Sequence, residues 1–314
     1  MITKKSTLKM SHPEWLAERQ QGIGGSDAGT ICGYNPYKSA YALWAEKCGL
    51  VEAPDLSNNE AVRQGTDLEE YVAKRFAEKY NLKVKRCNAI IKNSDYPWAL
   101  ANIDREIVGK KWGLECKTTT SWDIIQGCEE GNPPLHYYCQ CMHYMMVTGY
   151  TKWYLAILAL GRGFYVFEIN YNKEDIDSLA ELEKEFWDRV VKNDPPLVDG
   201  SESTGAAIKS IFAESTNDNS MDLSPIQSQL MARSQLKKQI GELQRQMDEC
   251  DQEIMLYMGD HSKGSCSGYS VSWKTQQRKT FDRKAAIAKH PDLDREEFYN
   301  VSFSRPFKVV AKNG

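Results

Sequence analysis

A chain of 314 residues, 41% hydrophobic and 26% charged, is long enough to bury a substantial core as one large domain or two ordinary ones. It has no apolar run near the ~18 residues a membrane span needs, and its start, Met-Ile-Thr-Lys-Lys-Ser, leads into a polar helix instead of a signal-peptide core. A net charge of −3 argues against indiscriminate coating of nucleic acid.

Ser11-His12-Pro13-Glu14 opens a first helix in capping-box style, carrying Trp15, Leu16 and Arg19 and stopped by Gly22. Gly24-Gly25-Ser26-Asp27 starts a second, and residues 39–48 make a third. Residues 56–60 read as a polar connector. The spacing of Leu68, Val72, Phe76 and Tyr80 predicts an amphipathic helix over 66–80. Strand candidates follow at 83–91, 98–108 and 111–118, the last two joined by a turn at Gly109-Lys110-Lys111. Residues 135–148 read as a helix ended by Gly149. A hairpin at 153–160 and 164–169 turns on Gly161-Arg162-Gly163, and a helix over 175–191 precedes Asn193-Asp194-Pro195-Pro196. This succession predicts an α/β fold with a mixed central sheet flanked by helices.

The organisation expected is a core over 1–212, a linker over 213–222, and an accessory segment over 223–314 made of a long helix and then a β-hairpin. In that segment Leu236, Ile240, Leu243, Met247, Cys250, Ile254 and Tyr257 step by alternating four and three, a coiled-coil-like seam. A strand over 269–274 is expected to pair with 307–310. The segment is mildly basic, with 15 Lys+Arg against 11 Asp+Glu, while the first 222 residues carry 25 against 32. Trp273, Lys274, Arg278, Lys279, Arg283 and Lys284 read either as a DNA-contacting edge or as a solvated hairpin.

Nine cysteines without an even framework, and without Cys-x-x-Cys, read as reduced thiols of a cytoplasmic protein. Cys139 and Cys141, near His136 and His143, lie on one predicted helix with the wrong spacing for tetrahedral closure, so no zinc or iron–sulfur site is expected.

The densest chemistry lies between Asp104 and Glu115-Cys116-Lys117. Alternation along a strand points Glu115 and Lys117 to one side and Leu114 and Cys116 to the other. If the turn brings Asp104 opposite Glu115, two carboxylates and an ammonium converge. Oxygen ligands of this kind suit Mg²⁺, which keeps waters and a substrate phosphate. A cation there would polarise a phosphodiester while Lys117 positions or deprotonates a water. A solvated hairpin with a Glu–Lys pair is the alternative reading of the same residues. Glu69 shares a helix face with Ala73 and Phe76, but Thr66-x-x-Glu69 also fits a capping box; Glu70 has Lys74 as an i+4 partner. Gln140 either hydrogen-bonds a strand edge or orients a water or phosphate. Arg19 and the Gly-Gly-Ser26 helix start fit an anion cradle, or else an ordinary N-cap beside a surface arginine.

The ordered series Trp15-x(3)-Arg19, Gly-Gly-Ser26-Asp-Ala, Gly65-x(3)-Glu69, Asn-Ile-Asp104, Leu-Glu115-Cys-Lys117 and Tyr-Tyr-x-Gln140 resembles the YqaJ-type viral recombinases. Those proteins are similar to phage lambda exonuclease within the PD-(D/E)xK nuclease superfamily, and the likeness spans about residues 10 to 195. Ile103 stands where the superfamily name expects proline, a position that shapes only the strand. The resemblance implies a restriction-endonuclease-like core and a metal-dependent exonuclease that degrades one strand of duplex DNA from its 5′ end, leaving a 3′ overhang for recombination. It implies Mg²⁺, with Mn²⁺ able to substitute, on Asp104, Glu115 and the Cys116 carbonyl. Lys117 would then act on the water, Glu69 on that water or a second ion, and Gln140 as a buttress. Arg19 and Ser26 would hold the 5′-phosphate. Implied partners are double-stranded DNA ends, further copies in a ring such as a trimer, and a single-strand annealing protein, with no membrane. An endonuclease or nickase of the same superfamily, or a catalytically idle DNA-end-binding module, are the competing functions. The absence of a Walker loop means that any processivity is not driven by ATP.

Overall fold

The computed structural model describes residues 1–56, 58–215, 219–290, 295 and 309. It divides into two compact units, Met1–Ala213 and Glu214–Gly314.

The first unit opens with strand β1 (Ile2–Ser6), additional to the predicted elements, which pairs antiparallel with a later strand, Ile2 opposite Asn93. Helix α1 (His12–Gln20) is held by the expected reciprocal box between Ser11 and Glu14. Helices α2 (Gly25–Ile31) and α3 (Ala40–Lys47) follow, the latter capped by Ser39. Helix α4 (Glu60–Tyr80) starts earlier than 66, since the Asn59 side chain accepts the Ala61 and Val62 N–H groups and caps the helix first. Thr66 is therefore inside the helix and bonds the Val62 carbonyl, so the capping box expected of Thr66 and Glu69 does not form.

Two of the expected strands are each divided between sheets. The first becomes β2 (Val84–Arg86) and β3 (Ala89–Asn93); the second becomes β4 (Tyr96–Ala101) and β5 (Arg105–Ile107). β1, β3 and β4 form a small antiparallel sheet. β2 and β5 instead join β6 (Trp112–Thr119), β7 (Lys152–Ala159) and β8 (Gly163–Asn170) in a five-stranded sheet ordered β2-β5-β6-β7-β8. Both breaks occur where the chain leaves one sheet for the other, which an unbroken β-rich run does not reveal.

β6 and β7 are parallel, with Glu115 opposite Leu155 and Lys117 opposite Ile157; the other pairs in this sheet are antiparallel. A parallel neighbour requires a crossover. Helices α5 (Trp122–Glu129) and α6 (Leu135–Thr148) supply it. α5, and α8 (Glu202–Ile211) after α7 (Lys173–Lys192), are additional to the predicted elements.

The alternation of β6 sorts its side chains into two layers. Leu114 and Cys116 pack with Tyr154, Ala156 and Leu158 under Val72, Ala73 and Phe76 of α4. The opposite face of β7, with Trp153, Leu155 and Ile157, packs under Met142, Met145 and Met146 of α6. β7 is covered on both sides, which explains its nearly unbroken apolar sequence. α2 approaches α6 closely because Gly25 and Gly29 carry no side chain. A Cβ at Gly25 would lie 2.4 Å from the Tyr144 ring, and one at Gly29 2.7 Å from His136.

The second unit is led by α9 (Gln227–Met258), followed by a hairpin of β9 (Lys263–Cys266) and β10 (Tyr269–Ser272), then α10 (Arg283–Lys289). β10 pairs with β9; the partner expected at 307–310 lies outside the described residues, Val309 apart. Among the described residues no helix is long and apolar enough to cross a membrane.

Candidate active site

The register Arg105↔Leu114 sets Asp104, at the bend before β5, across from Glu115. Asp104 Oδ2 accepts the Cys116 N–H at 2.9 Å, which locks the carboxyl against β6. Glu115 is 2% exposed on the α6 side of the sheet. Its Oε1 is 2.7 Å from Lys117 Nζ and accepts Gln140 Nε2 at 2.7 Å, while its Oε2 is buried without any partner. The expected meeting of two acids and an ammonium is thus formed, and the solvated-hairpin alternative is not.

The electrostatics of this cluster follow from dry surroundings and like charge. Burial raises the Asp104 carboxyl well above its ordinary range, and the Glu115 charge raises it further. Burial alone would lower Lys117, but Glu115 and Asp104 outweigh it and raise the ammonium above its ordinary value. The charged form of Lys117 is thereby favoured, and it can orient a water by donating to it. Its Nζ also lies 4.9 Å from the centre of the Tyr137 ring.

Gln140 sits on α6 and is 5% exposed, donating to both Glu115 and the Tyr144 hydroxyl, the latter at 2.8 Å. It binds the carboxylate and not a strand edge. Glu69, more than two turns into α4, is drawn to Arg105, whose guanidinium is nearly fully buried between Glu69 and Glu70. Glu70 departs from expectation: it pairs with Arg86 at 2.8 Å and Arg105 at 3.0 Å, not with Lys74, because two arginine forks from β2 and β5 reach it across the helix. Among the described residues, no three His, Cys, Asp or Glu side chains converge as a preformed metal cage. The acid pair remains two carboxylates, with Glu69 held back by Arg105.

At the front of α2, Arg19 Nη2 donates to the Ser26 hydroxyl at 3.0 Å, and its guanidinium stacks 4.8 Å from the Trp15 ring. Ser26 is exposed and is not the N-cap; Gly24 is. Beneath them Lys47 pairs with Asp27 at 3.0 Å and donates to the Gly22 carbonyl at 2.7 Å. Burial would raise the Asp27 carboxyl, but Lys47, Arg19 and the Gly24 N–H hold it below its usual value. The motif residues Arg19 and Ser26 thus share a supported surface, and α2 lies against the helix bearing Gln140.

Tyr137 belongs to the Tyr-Tyr-x-Gln140 motif, and Tyr144 lies one turn beyond Gln140 on the same helix. Arg105 and Lys47 lie outside the motifs read from the sequence: Arg105 follows Asp104 directly, so its place beside the acid pair is readable, whereas Lys47 required the contact of α3 with α2.

A donor set of carboxylate and carbonyl oxygens, one of them buried and unpartnered, fits a hard divalent cation. With a fixed ammonium alongside, such a set can orient a water and stabilise charge on a phosphoryl group.

Comparison with known proteins gives the family and the fold. The uncharacterized protein YqaJ of Bacillus subtilis (strain 168) is 38% identical over 289 residues, spanning 91% of this chain and 90% of that protein. The fold is that of the alkaline exonuclease LHK-Exo from Laribacter hongkongensis, with a TM-score of 0.51 at 18% identity over 58% of this chain and 94% of that one. The same enzyme in complex with dAMP gives 0.51 at 19%. Residues 14–151 match the YqaJ-like viral recombinase domain, and the chain belongs to that family.

Proposed function

We propose that this protein is a metal-dependent exonuclease that digests one strand of linear duplex DNA from the 5′ end, leaving 3′ overhangs for phage-type recombination. The observation that carries this reading is the unpartnered, buried Oε2 of Glu115 beside Asp104, with Lys117 and Gln140 occupying the other Glu115 oxygen. Asp104, Glu115 and the Cys116 carbonyl would hold Mg²⁺ or Mn²⁺. When bound, the ion supplies Lewis-acid polarisation of the scissile phosphate and a more acidic water.

The chain's own residues do the rest. Lys117 and Gln140 pin one Glu115 oxygen, which leaves the other directed at the ligand. Lys117, held charged by both carboxylates, orients the attacking water. Glu69, held by Arg105 as the site stands, would reach that water or a second ion through its other carboxylate oxygen. Arg19 and Ser26 grip a terminal 5′-phosphate through a guanidinium and a hydroxyl, and this preference for an end is what separates the reading from an endonuclease or nickase. The LHK-Exo fold and its dAMP complex support a nuclease of this class. A ring of copies around DNA and a single-strand annealing partner complete the proposal.

The test is digestion of a duplex labelled at either end against the same duplex as a covalently closed circle, with Mg²⁺ and then with a chelator. Release of the 5′ label from the linear form alone, stopped by chelation, is expected. Cutting of the circle, or release from the 3′ end first, would reject the assignment.

A further inference from the structure

α9 spans Gln227–Met258, yet Met258 is its only buried residue. Leu236, Ile240, Leu243 and Met247 are more than half exposed, and Ile254 and Tyr257 continue the same stripe. The polar side of the helix satisfies itself. Arg245 pairs with Glu242 and Glu249, Gln244 with Asp248, and Gln246 with Glu242. An apolar stripe with period 3.5 on a helix whose opposite face carries ion pairs within the helix calls for a helical partner.

The flanking residues identify the partner. Ile240, Met247 and Ile254 take the a positions of a heptad, and Leu236, Leu243, Cys250 and Tyr257 take d. The e positions are Lys237, Gln244 and Asp251, and the g positions are Gln239, Gln246 and Glu253. In a parallel pair these e and g residues meet without any opposite charges. In an antiparallel pair centred on Arg245, Lys237 of each copy meets Asp251 of the other, twice by symmetry. Gln244 then meets Gln244, Gln246 meets Gln246, and Gln239 meets Glu253, so no like charges oppose. The same register stacks Leu236 on Ile254, Ile240 on Cys250 and Leu243 on Met247, with Arg233 facing Tyr257 at each end. The stripe runs along about 30 Å of helix at 1.5 Å per residue.

We infer that α9 is a self-association element that pairs two copies of this chain as an antiparallel coiled coil, with Lys237 of one copy on Asp251 of the other. This inference is independent of the nuclease assignment, since it uses no residue of that site and needs no activity to be observed.

The experiment uses the full-length chain. Sedimentation equilibrium of the wild type and of Leu243→Lys should show the variant's assembly mass falling twofold, with unchanged helical circular dichroism because Leu243 is exposed. Separately, Ile240→Cys should form a disulfide from position 240 to native Cys250 of the second copy on treatment with diamide. The step is the loss of one hydrogen from each thiol as the diazene takes up both, and mass spectrometry of the linked peptides reads it. Wild-type Cys250 should form no Cys250–Cys250 link, since the antiparallel register sets the two sulfurs far apart. A wild type that stays single-copy at tens of micromolar would overturn the inference. So would an assembly whose mass Leu243→Lys leaves unchanged, or a Cys250–Cys250 link, which would demand parallel chains.

Discussion

The Glu115 carboxylate carries two different tasks on its two oxygens. Oε1 is fixed by Lys117 and Gln140 while Oε2 is left bare. Glu115→Gln and Lys117→Ala are expected to reduce cleavage by about 10²- to 10³-fold or more, the loss typical of a preorganised electrostatic contact. The melting temperature of Glu115→Gln should stay level or rise, because the change takes one negative charge from beside Asp104, whose carboxyl is already pushed up, whereas Lys117→Ala should lower it, because the two buried acids lose their cation. Parallel assays of digestion and thermal unfolding decide the matter; collapse of the fold would make these residues structural. The Arg19–Ser26 contact yields an expectation of its own. Wild-type protein should digest 5′-phosphorylated ends faster than 5′-hydroxyl ends by about tenfold or more, the worth of one charge-assisted hydrogen bond. Arg19→Ala should erase that ratio, and an undiminished ratio would remove Arg19 from the end pocket.

α6 is the element on which the core's polar connections converge. Beside Gln140 it bears His143, whose Nδ1 faces Glu183 of α7 at 2.7 Å and whose Nε2 faces the Leu100 carbonyl of β4 at 2.9 Å, with both side chains fully buried. A neutral imidazole has one donor and one acceptor, so two acceptors require the doubly protonated ring. Burial would lower the His143 pKa, but Glu183 and the carbonyl outweigh it and raise it above 6.5. The stabilisation is therefore full below about 6.5 and lost as pH rises through the raised folded value. His143→Ala should cost about 3–5 kcal/mol at pH 6, with the difference from wild type shrinking toward alkaline pH in urea titrations. A pH-independent difference would contradict the ion pair. Much of α6 was legible in the sequence because helical period and a terminal Gly149 are local signals. The exchange of strands between the two sheets was not, since residues 83–108 carry the same β-forming character on both sides of each break. Asp104 and Glu115 could be matched from a short turn. Glu70's true partners could not, because Arg86 and Arg105 reach it only once β2 and β5 are docked.

At the scale of the whole molecule, the acid pair, Lys117, Gln140, Arg19 and Ser26 all belong to the unit Met1–Ala213, whereas the seam belongs to Glu214–Gly314. A chain ending at Ala213 is expected to keep its own cooperative melting transition and to cut linear duplex at a rate within about threefold of full length under single-turnover conditions, where assembly does not matter. Failure of that fragment to cut, though folded, would show that the second unit completes the site. The three cores of the first unit, arranged on both faces of one sheet and around α3 and α7, make such independence reasonable.

The flush seating of Gly25 and Gly29 on Tyr144 and His136 has one more effect. It joins the strip that bears Ser26 to the rod that steadies Glu115, leaving no slack through which either could drift. On the proposed reading, the span between the captured terminus and the bond to be broken is then set by the scaffold like the jaws of a fixed gauge.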